Sequence, residues 1–167
     1  TSPSKTFNIA GLQVSNIFIA NGELRSRFIS RINASGCSGP NVLGLTAGEA
    51  AYRHGGEWYE AMMKYISGNI EFMQEYIRTE LPGLKMTETE GTYLVWADFR
   101  EFGLSEKELE ELIVNKAHLW LDGGAMFGRA GAGFERFNVA CPRSVLKQAL
   151  EQLKEVVDKR FPVCGRT

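Results

Sequence analysis

The sequence has no long hydrophobic run, little cysteine and histidine, and no excess of charge of either sign. Its apolar stretches, such as Ile17-Phe18-Ile19-Ala20, are far too short to span a bilayer. The 19 basic and 20 acidic residues nearly cancel, so the concentrated basic face of a nucleic-acid binder is not indicated. No signal-peptide pattern is recognisable. We therefore expect a cytoplasmic protein that binds neither membrane nor nucleic acid.

Metal binding is not indicated either. The three cysteines, Cys37, Cys141 and Cys164, are widely spaced, and the two histidines, His54 and His118, are solitary. Neither residue type forms a pair at the close spacing that supplies neighbouring ligands to one ion. We expect no metal site, and reduced thiols in place of a disulfide framework.

Apolar periodicity and the positions of Gly and Pro predict alternating helices and strands. Helices are predicted over residues 23–33, 42–54, 57–80, 106–116 and 142–160, and strands over 12–20, 85–87, 92–99, 118–122 and 134–140. Ser105 and Glu108 have the spacing of a capping box, which marks the start of the fourth helix. Helices against one small sheet indicate an α+β layer.

The breaker-rich loop 34–41 predicts a division of the chain. Residues 1–40 are predicted to form one part, and residues 41–167 a second part that contains the long helices and the sheet.

One lysine stands among hydroxyl-bearing residues in the segment Ser2-Pro3-Ser4-Lys5-Thr6-Phe7-Asn8, which leads into apolar Ile9-Ala10-Gly11-Leu12. An amine is a nucleophile only when it is deprotonated, and burial beside cationic or hydrogen-bonding groups lowers the pKa of a lysine toward neutrality. Taken alone, a lysine among Ser and Thr is more often a solvated residue.

A second segment, Phe134-Glu135-Arg136-Phe137-Asn138-Val139-Ala140-Cys141-Pro142-Arg143-Ser144, places an arginine on a predicted strand before a helix. Arginine suits carboxylate recognition because its planar fork donates two parallel hydrogen bonds and stays charged at every relevant pH. On the pattern alone, an arginine on the solvated face of an alternating strand is the commoner interpretation.

Together, in this order, the two segments resemble pyridoxal-phosphate enzymes of fold type I, the class I/II aminotransferase superfamily. The segments 91–98 and 121–128 resemble small-domain landmarks of that superfamily, so the resemblance covers essentially the whole chain. It implies that Lys5 forms the Schiff base with pyridoxal 5'-phosphate, that Ser2 and Ser4 contact the cofactor, and that Arg136 binds the α-carboxylate of an amino-acid substrate.

One departure from the superfamily's pattern indicates which branch of the superfamily the sequence resembles. Ordinary class I aminotransferases carry an arginine eight residues after the lysine, where it neutralises the cofactor phosphate, and Gln13 stands there in this sequence. The run Asn8–Gln13 and the Asn-Val-Ala-Cys-Pro-Arg run resemble instead the cystathionine β-lyase branch, called MalY/PatB-like. That branch releases thiol, pyruvate and ammonia from cysteine-derived amino acids.

The resemblance implies a fold and a domain assignment. Residues 41–167 are expected to supply interface helices and the small C-terminal domain of the pyridoxal-phosphate-dependent transferase fold, with a mostly antiparallel sheet. Residues 1–40 are expected to be a remnant of the large α/β domain. The chain is then expected to be a C-terminal fragment of a homodimeric enzyme, inactive by itself and without a productive cofactor site.

Two alternatives remain open. A class I/II aminotransferase has the same fold and differs in the fate of the substrate proton. An isolated, non-catalytic α+β domain is the second alternative, because an incomplete cofactor site would not catalyse.

Overall fold

In a computed structural model, which describes residues 1–37 and 39–162, contacts divide the chain into two compact units that meet between Met63 and Lys64. Cys164 lies outside the described residues. Within the described ranges, no helix is both long and apolar enough to cross a bilayer. The predicted domain division at residue 40 refers to a larger enzyme and stays a prediction.

The first unit is built from a loop that carries Lys5, followed by helices. The helices are α1 (Gly22–Ala34), α2 (Val42–His54) and the start of α3 (Gly56–Glu80). Asn21 and Asn41 cap α1 and α2, since their side chains accept hydrogen bonds from Leu24 N at 2.9 Å and Gly44 N at 2.7 Å. The predicted bounds of these helices are confirmed to within one residue.

The predicted strand over residues 12–20 is wrong. Ala10–Leu12 form a single 3-10 turn, and residues 13–20 adopt neither helix nor strand. Their backbone pairs with the first residue at a single position, where Thr1 and Asn16 each donate an N–H to the other's carbonyl, at 2.8 and 2.7 Å. A strand needs a ladder of such bonds, and the alternating sequence has no partner strand among the described residues of this unit.

The second unit contains a four-stranded antiparallel sheet. Its strands are β1 (Lys85–Met86), β2 (Leu94–Asp98), β3 (Asp122–Gly123) and β4 (Phe134–Asn138), in the spatial order β1-β2-β4-β3. Trp96 and Asp122 lie opposite Arg136 on the two strands that flank β4. The predicted mostly antiparallel sheet is therefore confirmed.

Helices supply most of the apolar core of the second unit. They are the remainder of α3, a short α4 (Glu106–Glu110) continued by a π turn (Glu111–Lys116), and α5 (Arg143–Arg160). The capping box of Ser105 and Glu108 is present. These helices, with β2 and β4, bury the following side chains: Ile66, Met73, Ile77, Val95, Ala97, Leu109, Leu112, Ile113, Phe137, Leu146, Leu150, Leu153 and Val157. The connecting segments add Leu81, Leu84, Phe99, Ala117, Leu119 and Val139. The helix predicted over residues 142–160 is thus confirmed, and its apolar side is buried.

The predicted strand over residues 118–122 is mostly wrong, because only Asp122 belongs to β3. His118 has φ 55°, in the left-handed region, so the chain turns where the prediction required extension. Leu119 N donates to Ile113 O at 2.9 Å, which ties this segment to the end of the π turn.

Asn69 is a buried polar residue of α3 that joins three parts of the second unit. Its side-chain amide nitrogen donates to Val139 O at 2.8 Å and to Cys141 O at 2.9 Å, and its side-chain oxygen accepts from Arg143 Nε at 2.6 Å. These bonds fix the chain between β4 and α5, because they give two backbone carbonyls and the Arg143 guanidinium a hydrogen-bond partner near the core.

Candidate active site

Residues 2–9 of the first unit form a loop around Lys5, called the lysine loop below, which is closed by its own hydrogen bonds. Phe7 N donates to Pro3 O at 2.9 Å and Ile9 N to Ser4 O at 3.1 Å, which curls the chain around Lys5. Pro3 is buried, whereas Lys5 is exposed. The loop therefore presents the lysine amine outward from a fixed backbone.

The serines beside Lys5 form one hydrogen-bonded network. Ser2 Oγ donates to Val14 O at 2.7 Å, and Ser2 Oγ and Ser4 Oγ lie 2.5 Å apart. A hydroxyl has a single proton, so Ser4 must be the donor to Ser2. Ser4 is the freer hydroxyl, because rotation about its Cβ–Oγ bond can redirect its proton to a ligand while Ser2 keeps its bond to Val14.

Packing against α2 and α3 anchors the loop. The ring of Phe7 stacks on Trp58, with centroids 5.6 Å apart, and meets Tyr52 edge-on at 6.3 Å. A Cβ on Gly55 would lie 2.5 Å from the Phe7 ring, so this approach depends on glycine at the junction of the two helices. Asn41, the cap of α2, also donates to Leu12 O at 2.6 Å. The helix cap and the lysine loop are thus held by the same side chain.

Arg136 forms the centre of a second group of residues, in the second unit. Its Nε donates to Asp122 Oδ2 at 3.1 Å, and its Nη2 forms a further close bond to the same oxygen. The guanidinium carbon lies 4.4 Å from the centroid of the Phe127 ring. Trp96 contacts that ring edge-on at 5.3 Å. Charge pairing and a cation–π contact therefore hold the guanidinium from two sides.

The Asp122 contact leaves part of the arginine fork open. Nε and one proton of Nη2 face Asp122, so the edge formed by Nη1 and the second Nη2 proton keeps two parallel donors. A cleft of about 280 Å³ opens beside Arg136 and Trp96, and residues 87–92 and Leu94 line the rest of it. This edge can donate a parallel pair of hydrogen bonds to a carboxylate.

A glycine-rich turn places Phe127 under Arg136. Two 3-10 turns, Gly124–Phe127 and Arg129–Gly131, cross so closely that a Cβ on Gly124 would lie 2.1 Å from Gly131 O. Only glycine permits this crossing. The turn thereby positions the Phe127 ring against the Arg136 guanidinium.

The structure brings some of the predicted site residues together. Ser2 and Ser4 share one network beside Lys5, in the first unit, while Arg136 lies in the second. The catalytic, cofactor-binding and substrate-binding roles of these residues stay predictions. Gln13, in place of the phosphate-binding arginine, is exposed and in the left-handed region at φ 51°.

Sequence reasoning missed the residues around Arg136. Asp122 was assigned to a strand end and to the landmark segment 121–128, which also contains Phe127, and Trp96 was assigned to the landmark segment 91–98. An acid just before Gly123-Gly124 was the available signal for Asp122, but the partner became evident only from the pairing of β3 with β4.

Comparison with known proteins first defines the class. No protein-family model matches the chain. Cystalysin from Treponema denticola, whose crystal structure contains pyridoxal 5'-phosphate, superimposes with a TM-score of 0.91 and 38% identity. The match covers 95% of this chain and 40% of cystalysin. The chain thus has the fold of the C-terminal part of pyridoxal-phosphate-dependent transferases, and the predicted fold class is confirmed.

The curated relatives define the branch. Cystathionine β-lyase PatB of Bacillus subtilis is 39% identical over 153 residues, and protein MalY of Escherichia coli is 32% identical over 154. Each match covers 92% of this chain and 40% of the relative, so the chain spans well under half the length of these proteins. The chain is homologous to the C-terminal part of MalY/PatB-like cystathionine β-lyases, and the resemblance read from its sequence is confirmed.

Proposed function

We propose that the chain contributes to a pyridoxal-phosphate-dependent C–S β-lyase of the cystathionine β-lyase type. The observation that carries the proposal is the 39% identity to a cystathionine β-lyase across 92% of this chain. The enzyme would cleave the Cβ–S bond of cysteine-derived amino acids, with water consumed and thiol, pyruvate and ammonia released. Because the chain spans about 40% of these relatives, we assign the activity to the native protein that contains it.

The residues of the lysine loop fit the cofactor. Pyridoxal phosphate requires a primary amine for its aldehyde and hydrogen-bond donors for its phosphate. Lys5 supplies an exposed amine, and Ser4 supplies a hydroxyl proton that can be redirected without breaking the bond between Ser2 and Val14. With Gln13 in place of arginine, hydroxyls and backbone N–H groups carry more of the phosphate binding.

The proposed mechanism assigns one task to each residue. When bound, the cofactor supplies an electron sink for the negative charge that develops at the substrate Cα. Arg136 holds the α-carboxylate on its open edge, while Asp122 fixes the opposite edge and so sets the direction of the fork. The amine of Lys5 accepts the Cα proton, and the electron pair then expels the thiolate from Cβ.

Substrate cleavage distinguishes the proposal from its alternatives. We expect the native protein to release equimolar pyruvate and thiol from cystathionine, with little transfer of the amino group to a keto acid. Amino transfer without pyruvate would identify an aminotransferase. Neither product, in protein shown to be folded and supplied with cofactor, would support a non-catalytic domain.

Arg136→Lys is expected to weaken the affinity for the amino-acid substrate by about 10- to 150-fold. Lysine keeps the charge but cannot bond Asp122 and a carboxylate in parallel, and a charged hydrogen bond contributes roughly 1.5–3 kcal/mol. Titration with an unreactive amino acid and with its carboxamide measures the effect, since only the acid should lose affinity.

The matched control is Arg129→Lys, an exposed arginine of the same glycine-rich turn. An Arg136→Lys protein that binds the acid as tightly as the wild type would remove Arg136 from the carboxylate site.

We also propose that the native enzyme is a cytoplasmic homodimer in which residues 1–40 belong to the cofactor-binding domain. Exposed apolar side chains of α2, Val42, Leu43 and Leu45, support a subunit interface. The unpaired thiols of Cys37 and Cys141 suit a reducing compartment. Light scattering coupled to size-exclusion chromatography measures the molecular mass of the native enzyme in solution, which should be twice the mass of one chain.

A further inference from the structure

Phe127 stands in a turn whose backbone is fixed on both sides of this residue. Gly128 N donates to Ala125 O at 3.0 Å, and Gly131 N donates to Gly128 O at 2.9 Å. The crossing of Gly124 and Gly131 holds the two turns together, because a Cβ on Gly131 would lie 2.1 Å from Gly124 O. The backbone therefore sets where the Phe127 ring can lie.

Two side chains of the sheet contact this ring. The guanidinium carbon of Arg136 lies over its face, 4.4 Å from the centroid, and Trp96 meets its edge at 5.3 Å with an angle of 83° between the ring planes. Trp96 and Arg136 are direct partners in the register of β2 and β4, so their side chains share one face of the sheet. The Phe127 ring thus lies against two side chains that the sheet holds side by side.

The ion pair between Arg136 and Asp122 does not have the usual fork geometry. Arginine and a carboxylate commonly form two parallel hydrogen bonds that end on two different oxygens. Here the bonds from Nε and Nη2 of Arg136 both end on Oδ2 of Asp122. The contact with Asp122 is therefore not the one that sets the plane of the guanidinium, whereas the face of the Phe127 ring can set it.

The guanidinium of Arg136 has two edges that can each donate a parallel pair of bonds, one formed by Nε with Nη2 and one by Nη1 with Nη2. Either edge satisfies an ion pair with Asp122. The observed contact uses the first edge, and a turn to the second would take up the donors that a substrate carboxylate needs. Such a turn also moves the cation away from the face of the Phe127 ring, and the lost cation–π attraction opposes it.

We propose that Phe127 is a positioning residue, which holds the plane of the Arg136 guanidinium so that Asp122 engages one edge of the fork and the other edge stays available to a substrate carboxylate. Trp96 supports the ring from its edge, and the glycine-rich turn fixes the backbone that carries it. The inference rests on the proposed role of Arg136 in carboxylate binding.

Calorimetric titration of the native protein, loaded with cofactor, tests the proposal. The ligands are S-ethyl-α-methylcysteine, which has no Cα proton and so is not cleaved, and its carboxamide. We expect Phe127→Leu to weaken binding of the acid by about 3- to 30-fold, which corresponds to the loss of one cation–π contact. Binding of the carboxamide should be unchanged, because it does not need the charged fork. Phe127→Tyr keeps an aromatic face and should bind the acid as the wild type does.

The dependence on Asp122 separates positioning from a general loss of packing. If Phe127 keeps the fork from turning toward Asp122, its replacement should matter little once the charge of Asp122 is removed. We therefore expect Phe127→Leu to have a much smaller effect on acid binding in an Asp122→Asn background than in the wild type. A loss of packing alone would weaken binding equally in both backgrounds.

Phe72→Leu is the matched control. Phe72 of α3 also lies under an arginine, since the guanidinium carbon of Arg143 is 4.7 Å from its ring centroid. The change removes a cation–π contact of the same kind from the same unit, but one that does not involve Arg136, so acid binding should keep its wild-type strength. Circular dichroism checks that each variant is folded, and Phe127→Met takes the place of Phe127→Leu if that protein is not.

Three results would overturn the proposal: acid binding by the folded Phe127→Leu protein as tight as that of the wild type, an equal loss in Phe127→Tyr, or an equal loss in the Asp122→Asn background. Failure of the proposed function gives a different result. The wild type would then show no preference for the acid over the carboxamide, Arg136→Lys would not weaken acid binding, and the role of Phe127 would fall with that of Arg136.

Discussion

Lys5→Ala is expected to abolish lyase turnover in the native protein. One acid–base group contributes about 10²- to 10⁴-fold to the rate. The loss should be larger than that, because the same amine also tethers the cofactor. The loop backbone is held by bonds from Phe7 N to Pro3 O and from Ile9 N to Ser4 O, neither of which involves the lysine side chain. The fold should therefore survive, and pyruvate release measures the change.

Lys64→Ala is the control, since Lys64 is an exposed lysine of α3. It should keep wild-type turnover. If Lys5→Ala protein retained full pyruvate release, Lys5 would have no part in the reaction and the lysine loop would be a structural segment only.

The second large effect is expected on stability. Asn69→Ala should lower the free energy of unfolding by about 2–4 kcal/mol, because it leaves two backbone carbonyls without their donor at roughly 1–3 kcal/mol for each buried orphan. The carbonyls belong to Val139 and Cys141, and Arg143 Nε loses its acceptor as well. Denaturant unfolding followed by circular dichroism measures the difference.

Asn115→Ala provides the comparison. Asn115 is exposed, and within the part of the chain that the structure describes its side chain bonds only to that of Glu111, so its removal should cost less than about 0.5 kcal/mol. Equal stability of the Asn69→Ala and Asn115→Ala proteins would show that the Asn69 bonds do not hold the chain between β4 and α5.

The helices were predictable because their signals are local. Apolar spacing and glycine or proline breaks bound α1, α2 and α3, and Ser105 with Glu108 marks α4. The strand prediction over residues 12–20 failed for a physical reason. Alternation describes a side-chain pattern, but a strand forms only where another chain segment offers a ladder.

The site could be predicted only in part. A resemblance points to Lys5 and Arg136 because each sits in a recognisable run of neighbours. The environment of Arg136 is different, since Asp122 and Phe127 come from separate turns and meet it only through the sheet register and the crossing at Gly124. Asn69 shows the same limit, because a polar residue beside the stripe of Ile66, Met73 and Ile77 has no sequence signal for its partners.

The most direct measurement on the central claim identifies the residue that carries the cofactor. Reduction of the cofactor-loaded native protein with borohydride fixes the pyridoxyl group on the amine that holds it, and peptide mass spectrometry then locates that amine. The account predicts a pyridoxyl group on Lys5, in the peptide that contains Ser2 and Ser4. Modification of another lysine in its place, or of none, would contradict it.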